Sequence, residues 1–240
     1  MSTSASALLS TTSLKNWDVS QFYTLPKKGC TQSRIINVIS KSTNKKVKID
    51  TSFLFSYGPD SFRGSDSYTL DLQFPTEEQH KTPETQLLLE KLRAHEDSVV
   101  ANAIANPKTF FGHENLTETV IKSRFVSALK TSGTKYPTNA PKIKPQFGYK
   151  SDFSDLQIYN VHGTLLYGNN GTVCVNDTNP LTLIPKNCMV KAVLEIKHIY
   201  VMEKSWGITW KVVQAVVKSI DSETGEDKIE VEEFEHNDVT

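Results

Sequence analysis

The sequence predicts a mainly β, α+β domain: an antiparallel barrel or sandwich whose helices are gathered into one insertion. Three observations predict it. Short strand-like runs separated by turn chemistry fill the first third, a helical stretch occupies the middle, and two long strand patterns close the second half. Strands, then helices, then strands, without regular βα alternation, argue against a parallel doubly wound sheet. A chain of 240 residues with 38% hydrophobic and 22% charged side chains has the size of one domain with tails. Such a chain buries roughly 70% of its unfolded surface and builds a core without disulfides or metal.

Residues 1–16 are dominated by Ser and Thr, carry no apolar period and read as a disordered lead, so the domain is expected over 17–220. Arg34 to Ser40 is a β-branched run, and Ser42-Thr43-Asn44 turns the chain into a strand over 46–56. There Val47, Ile49, Phe53 and Phe55 share one parity while Lys46, Lys48, Asp50 and Ser52 share the other, which predicts one core face and one wet face. Gly58-Pro59-Asp60 and Arg63-Gly64-Ser65 break the chain before a strand over 68–74. Thr82 as cap, Pro83 at the first helical position and Glu84 at the positive end of the dipole begin a helix. Its Leu88, Leu92, Val99, Ala103 and Ile104 keep near-helical spacing as far as Pro107. Ile121, Phe125 and Leu129 predict a second helix over about 117–130, so the helical insertion spans about 83–130. Residues 131–145, rich in Gly, Pro and Lys, read as a long connection or edge segment. Strand patterns return over 143–149, 156–161 and 181–184, with a hairpin signal at Gly168-Asn169-Asn170-Gly171. Two long strands, 189–202 and 207–220, end the domain, joined at Glu203-Lys204-Ser205-Trp206.

Net charge is zero, yet residues 221–240 hold nine acids against one lysine, leaving 26 basic and 18 acidic side chains in the rest. A basic body with an acidic C-terminal tail suits competition, the tail occupying a cationic groove until a polyanion displaces it; a solvated tail that aids solubility accounts for the same letters. Cys30, Cys174 and Cys188 form no CxxC, leave an odd thiol and follow no signal-peptide pattern, so an intracellular, reducing compartment is expected. The Asn-x-Thr triplets at Asn115, Asn170 and Asn176 are read as chance. No apolar run approaches the ~18 residues of a membrane span, so no membrane is expected as a partner.

Catalytic templates fail against the letters. Gly163 to Gly168 has the glycine spacing of a phosphate loop, but Asn169 and Asn170 stand where Lys and Ser/Thr must hold phosphate and magnesium. His95-Glu96 and His113-Glu114 open like a zinc-protease motif, but Val99 and Thr117 replace the second histidine. The pairs Asp152/Asp155 and Asp66/Asp71 read as turn residues. No catalytic residue, metal or cofactor is expected, and the protein is not expected to be an enzyme.

Basic residues interleaved with aromatics are what the strands do offer. Lys142, Lys144 and Lys150 fall on one parity and Ile143, Phe147 and Tyr149 on the other, unless a bulge at Gly148 brings Tyr149 to the lysine side. In the closing hairpin Lys191, Lys197, Tyr200, Lys204, Trp206, Trp210, Lys211 and Lys218 lie within 28 residues. Single strands are bound this way, lysines following the phosphates and rings stacking bases at about 1–3 kcal/mol each. Trp206 and Trp210 share parity with Ile208 and Val212, so a place in the core competes with a place in a groove.

The hairpin from Val190 to Val217 carries an aromatic residue, Gly207, a β-branched residue, Thr209, Trp210, Lys211 and Gln214 ahead of the acidic end. It resembles the final hairpin of single-stranded DNA-binding proteins of large nucleocytoplasmic DNA viruses, of the algal and giant-virus type and more distantly those of poxviruses and short-tailed phages. Residues 68–74 and Phe110-Phe111-Gly112 are similar to the same group, so the likeness spans roughly 17–220. It implies an OB-like barrel that coats single-stranded DNA during replication and recombination in an infected host cell. It also implies an acidic tail that competes with DNA or docks replication proteins. The phage tails finish on an aromatic residue, whereas here Phe234 is followed by six more residues. By motif match it implies groove positions for Trp206, Thr209, Trp210 and Lys211. With the lysine and aromatic pattern, the candidate nucleic-acid-binding set is Lys142, Lys144, Phe147, Tyr149, Lys150, Lys191, Lys197, Tyr200, Trp206, Thr209, Trp210 and Lys211. The alternative is a non-catalytic viral structural or scaffold protein with protein partners. Whether copies of the chain associate is left open by the letters.

Overall fold

Two strands of fourteen residues form the spine to which every other strand is attached, directly or through a neighbour. The computed structural model describes residues 22–27, 34–40, 44–61, 66–130, 141–149 and 152–219; the N-terminal lead, the acidic tail, Cys30 and Lys150 lie outside the described residues. Seven strands come first: β1 Phe22–Lys27, β2 Arg34–Ser40, β3 Lys48–Asp50, β4 Leu54–Ser56, β5 Pro59–Ser61, β6 Ser67–Leu70 and β7 Leu72–Gln73. Helices α1 Pro83–Ala105, α2 Pro107–Phe111 and α3 Glu118–Arg124 follow. The chain then returns to β structure in β8 Phe125–Val126, β9 Leu129–Lys130, β10 Lys142–Ile143, β11 Gln146–Tyr149, β12 Gln157–Asn160, β13 Leu165–Asn169 and β14 Cys174–Val175. The spine closes it: β15 Cys188–Val201 and β16 Trp206–Ser219.

Strand β15 pairs antiparallel with β16 from Cys188↔Ser219 to Val201↔Trp206, and its other edge carries β2, β3 and β4 in turn. From β4 the sheet passes to β7, β10 and β9, and beyond β16 to β12, β13 and β14. It also curls: β11 meets β16 at Gln146↔Lys211 and pairs with β6, whose chain runs on into β7. The fold is mainly β with a few helices, as the sequence predicts. One expectation is corrected. Strands β8, β11 and β12 run parallel to β16, so the sheet is mixed, because the chain reaches that edge of β16 by separate crossings and not by hairpins.

Helix α1 starts where the letters place it. Thr82 Oγ1 accepts from the Thr85 amide at 3.2 Å and the Thr82 amide donates to Thr85 Oγ1 at 3.0 Å, a reciprocal cap in front of Pro83. Its stripe of Leu88, Leu92, Val99 and Ala103 belongs to the core. His95 and Glu96, the abortive metal motif, fasten the helix instead. The His95 ring lies edge-on to Trp210 at 5.9 Å, and burial lowers its pKa to about 4. Glu96 accepts from Ser127 Oγ at 2.6 Å and from the Ala128 amide at 2.7 Å, clamping the turn between β8 and β9; burial raises its pKa against those hydrogen bonds. No helix among the described residues is long and apolar enough to cross a membrane.

Three local expectations fail. The second helix ends at Arg124, not near residue 130: Phe125 turns extended, its ring packs 4.8 Å from Trp206, and β8 pairs with the start of β16. Tertiary contact here overrides an intact i, i+4 pattern. Residues 181–184 form turns, not a strand. The strand expected over 46–56 breaks after Asp50, where Thr51 exchanges bonds with Ala192 (2.7 and 2.8 Å). Parity flips across the break, so Leu54 is buried while Phe53 faces outward.

Candidate nucleic-acid interface

Alternation along the spine decides which candidates can meet a ligand. Trp206, Ile208, Trp210 and Val212 all point into the core. The indole N–H of Trp206 donates to the Ile121 carbonyl at 2.8 Å, at a distance that satisfies its one polar atom, while the rings of Phe110, Phe111 and Phe125 surround it. Trp206 and Trp210 are 1% and 3% exposed, and Phe147 is 3% exposed against Phe153. None of the three offers a face for stacking, so the expectation that they line the groove is corrected: the parity shared with apolar neighbours wins.

The opposite face of the spine carries Tyr200, Gly207, Thr209, Glu195 and Lys211. Glu195 stands opposite Lys211 and beside Lys48 in the register, and its side chain is 8% exposed. Three lysines converge on that carboxylate: Lys46 at 3.3 Å, Lys211 at 3.4 Å and Lys48 at 3.7 Å. Lys211 also reaches Asp155 at 2.8 Å. Lys197 sits at a register shift of β15 and donates to Gln146 Oε1 at 2.6 Å, a neutral partner. Burial and the charges of Lys211 and Lys46 lower the Lys197 pKa. Burial also opposes the charge on Lys211, but its bonds to Asp155 and Glu195 outweigh this and leave its pKa raised. Four ammonium groups (Lys46, Lys48, Lys197 and Lys211) stand against the carboxylates of Glu195, Asp155 and Asp152 at the cleft's rim, which leaves the cluster positive by one.

Tyr149 joins this cluster through an irregularity the sequence hints at. The β11–β6 register shifts between Gln146 and Gly148, and Tyr149 emerges half-exposed. Gly148 is required there because the Phe153 ring occupies the space a Cβ would take. Tyr149, Gln146, Lys197 and Lys211 then line one cleft of about 220 Å³, floored by Phe153 and bounded by Asp152 and Asp155. The Ser154 amide bonds Asp152, and Lys211 bonds Asp155; both carboxyls are held below their ordinary range.

Further along the same face a second row runs Ile35, Tyr200, Gly207 and Val126 across four strands. Ile35 and Val126 are exposed, and Tyr200 is half-buried, its ring lying on Gly207. Thr209, opposite His198, lies between the two rows. Lys142 and Lys144 gather instead on the buried Asp71, at 2.9 and 3.1 Å, two to four residues before Gln146. Lys191 shares the face but is set apart by the buried Val193 and Gln214. Lys150 lies outside the described residues. Lys46, Lys48 and Glu195 are the members that sequence reasoning missed as site residues. The wet-face parity of Lys46 and Lys48 in the 46–56 strand was visible, but not the partner strand whose Glu195 collects them.

Among the described residues no group of His, Cys, Asp and Glu could hold a metal ion. Fold and surface together define a mainly β protein with a lysine-bearing, tyrosine-edged face on its longest hairpin. The chain belongs to the family described as "Protein of unknown function (DUF2738)", which it matches over residues 27–229. No curated protein matches it. Among solved structures it is similar to the C-terminally truncated single-stranded DNA-binding protein from bacteriophage Enc34 (12% identity, TM-score 0.45, covering 82% of this chain and 96% of that one). The same phage protein in complex with single-stranded DNA gives 12% identity and a TM-score of 0.43 over the same shares.

Proposed function

We propose that this protein binds single-stranded DNA without reading its sequence, on the outer face of the β15–β16 hairpin within an OB-like barrel. The observation that carries the reading is the convergence of Lys46, Lys48, Lys197 and Lys211 on one sheet face, with the exposed ring of Tyr149 in the same cleft as two of them. Lysines held by a buried carboxylate are pre-positioned, so less side-chain freedom is lost when phosphates arrive. The positive excess attracts the backbone, and Tyr149, together with the Tyr200 row about 13 Å from Lys211 along β16, presents flat apolar area to bases. On the sequence resemblance, the setting is DNA replication and recombination in an infected cell, with the acidic tail competing with DNA or docking replication proteins.

Fluorescence anisotropy of labelled oligo-dT tests this. The full chain should bind with micromolar or tighter affinity at about 50 mM salt and lose it steeply as salt rises. The double variant Lys197→Glu, Lys211→Glu should weaken binding at least about tenfold and flatten the salt dependence. Tyr149→Ala should cost about 1–3 kcal/mol of binding with little change in salt slope. An unaltered anisotropy with the wild-type chain at low salt rejects the proposal.

A further inference from the structure

The cleft holds two lysines in unlike states. Lys211 is paired on both sides: Glu195 beneath it is nearly buried, whereas Asp155 above it is 75% exposed and bonds Lys211 at 2.8 Å. Lys197, half-buried beside it, donates to the amide oxygen of Gln146 at 2.6 Å and forms no ion pair with a carboxylate among the described residues. A half-buried cation with a neutral partner, next to a cation whose outer partner is an exposed surface carboxylate, is an anion site with its own stand-in anion in place. Asp155, the outer member of the pair, stands in solvent that screens and competes for its contact, so an incoming oxyanion can displace it from Lys211.

Resting on the function proposed above, we infer that this cleft is the phosphate subsite of the single-strand path and that Asp155 is its internal phosphate surrogate. A backbone phosphate enters between Lys197 and Lys211, Asp155 swings to solvent, and Glu195 keeps Lys211 in position throughout. Tyr149 on the rim then stacks the base attached to that phosphate. The ligand is a phosphodiester flanked by an unpaired base. Asp155 weakens every binding event by a fixed factor, so the protein releases strands more readily than its lysine count alone would allow.

The test uses full-length chain and labelled oligo-dT in four versions: wild type, Asp155→Asn, Lys211→Gln, and both substitutions together. Asp155→Asn should tighten binding about two- to fivefold at low salt, the inverse of what an exposed ion pair contributes, and should steepen the salt slope by about one unit as Lys211 becomes free to shed a counterion. In the Lys211→Gln background the same substitution should do much less. A gain of equal size in both backgrounds overturns the surrogate role, since it shows only general repulsion between Asp155 and DNA. Unchanged affinity of Asp155→Asn alongside normal wild-type binding also overturns it and leaves the broader function standing. Absence of binding by both wild type and Asp155→Asn rejects that function itself.

Discussion

Gly207 illustrates how a single residue shapes the face. It lacks a positive backbone angle and is needed for a different reason: a Cβ there would lie 2.5 Å from the Val126 carbonyl oxygen and 2.9 Å from Tyr200 Oη. The tyrosine end could swing away, but the carbonyl belongs to β8 and cannot retreat without losing its pairing with β16. Gly207→Ala should therefore destabilise the protein by about 1–3 kcal/mol, the range for inserting a methyl group into a filled space. The loss is measurable as a lower urea midpoint. Because Tyr200 rests on the glycine, the folded variant should also bind oligo-dT less tightly. A midpoint equal to wild type would mean that β8 yields freely and contributes little to this edge.

At the scale of elements, α1 is docked on the sheet through titratable groups, which makes its attachment sensitive to acid. His95 is buried against Trp210 with a folded-state pKa of about 4, below the ordinary 6.5. The unfolded chain thus takes up this proton at a higher pH than the folded one, so stability is lost as pH falls from about 6.5 towards 4, by about 3 kcal/mol over that span. Glu96 works in the opposite sense, since its raised pKa means that stability is lost as pH rises through the range just above its ordinary value. The net acid sensitivity between pH 7 and 5 should belong to His95. His95→Phe, which keeps an aromatic edge towards Trp210, should flatten urea midpoints across that interval, and a slope identical to wild type would place the proton uptake elsewhere. The failed second helix belongs to this scale as well. Ile121, Phe125 and Leu129 have helical spacing, but Phe125 is worth more to the fold against Trp206 than in another helical turn, and nothing local in the letters announces that exchange.

For the whole molecule, what could be read from the letters follows from sequence distance. The long hairpin, the first helix with its cap, and the shared parity of Trp206, Ile208, Trp210 and Val212 depend on neighbours within a few residues, and these were legible. The lysine cluster is assembled by Glu195 from strands some 150 residues apart in sequence, and Asp71 collects Lys142 and Lys144 across a gap of some 70, so neither was legible. Trp206 and Trp210 were ambiguous because an amphipathic ring satisfies both a core pattern and a stacking pattern; distant partners decide for the core, the Ile121 carbonyl and the ring of Phe125 at Trp206 and the ring of His95 at Trp210. Charge at long range remains as a property of the entire chain. Residues 221–240 carry a net charge of minus eight against a body of plus eight. A tail acting through that field is screened within about 8–10 Å at 0.1–0.15 M salt, whereas Asp155 acts through a direct contact. Deleting residues 221–240 should accordingly tighten oligo-dT binding at about 50 mM salt and make no difference by roughly 300 mM, while the effect of Asp155→Asn should persist further up the same titration. Anisotropy over that range separates the two. A gain from tail removal that survives at high salt would point to a tail docked in direct contact, and no gain at low salt would remove the tail from the control of binding.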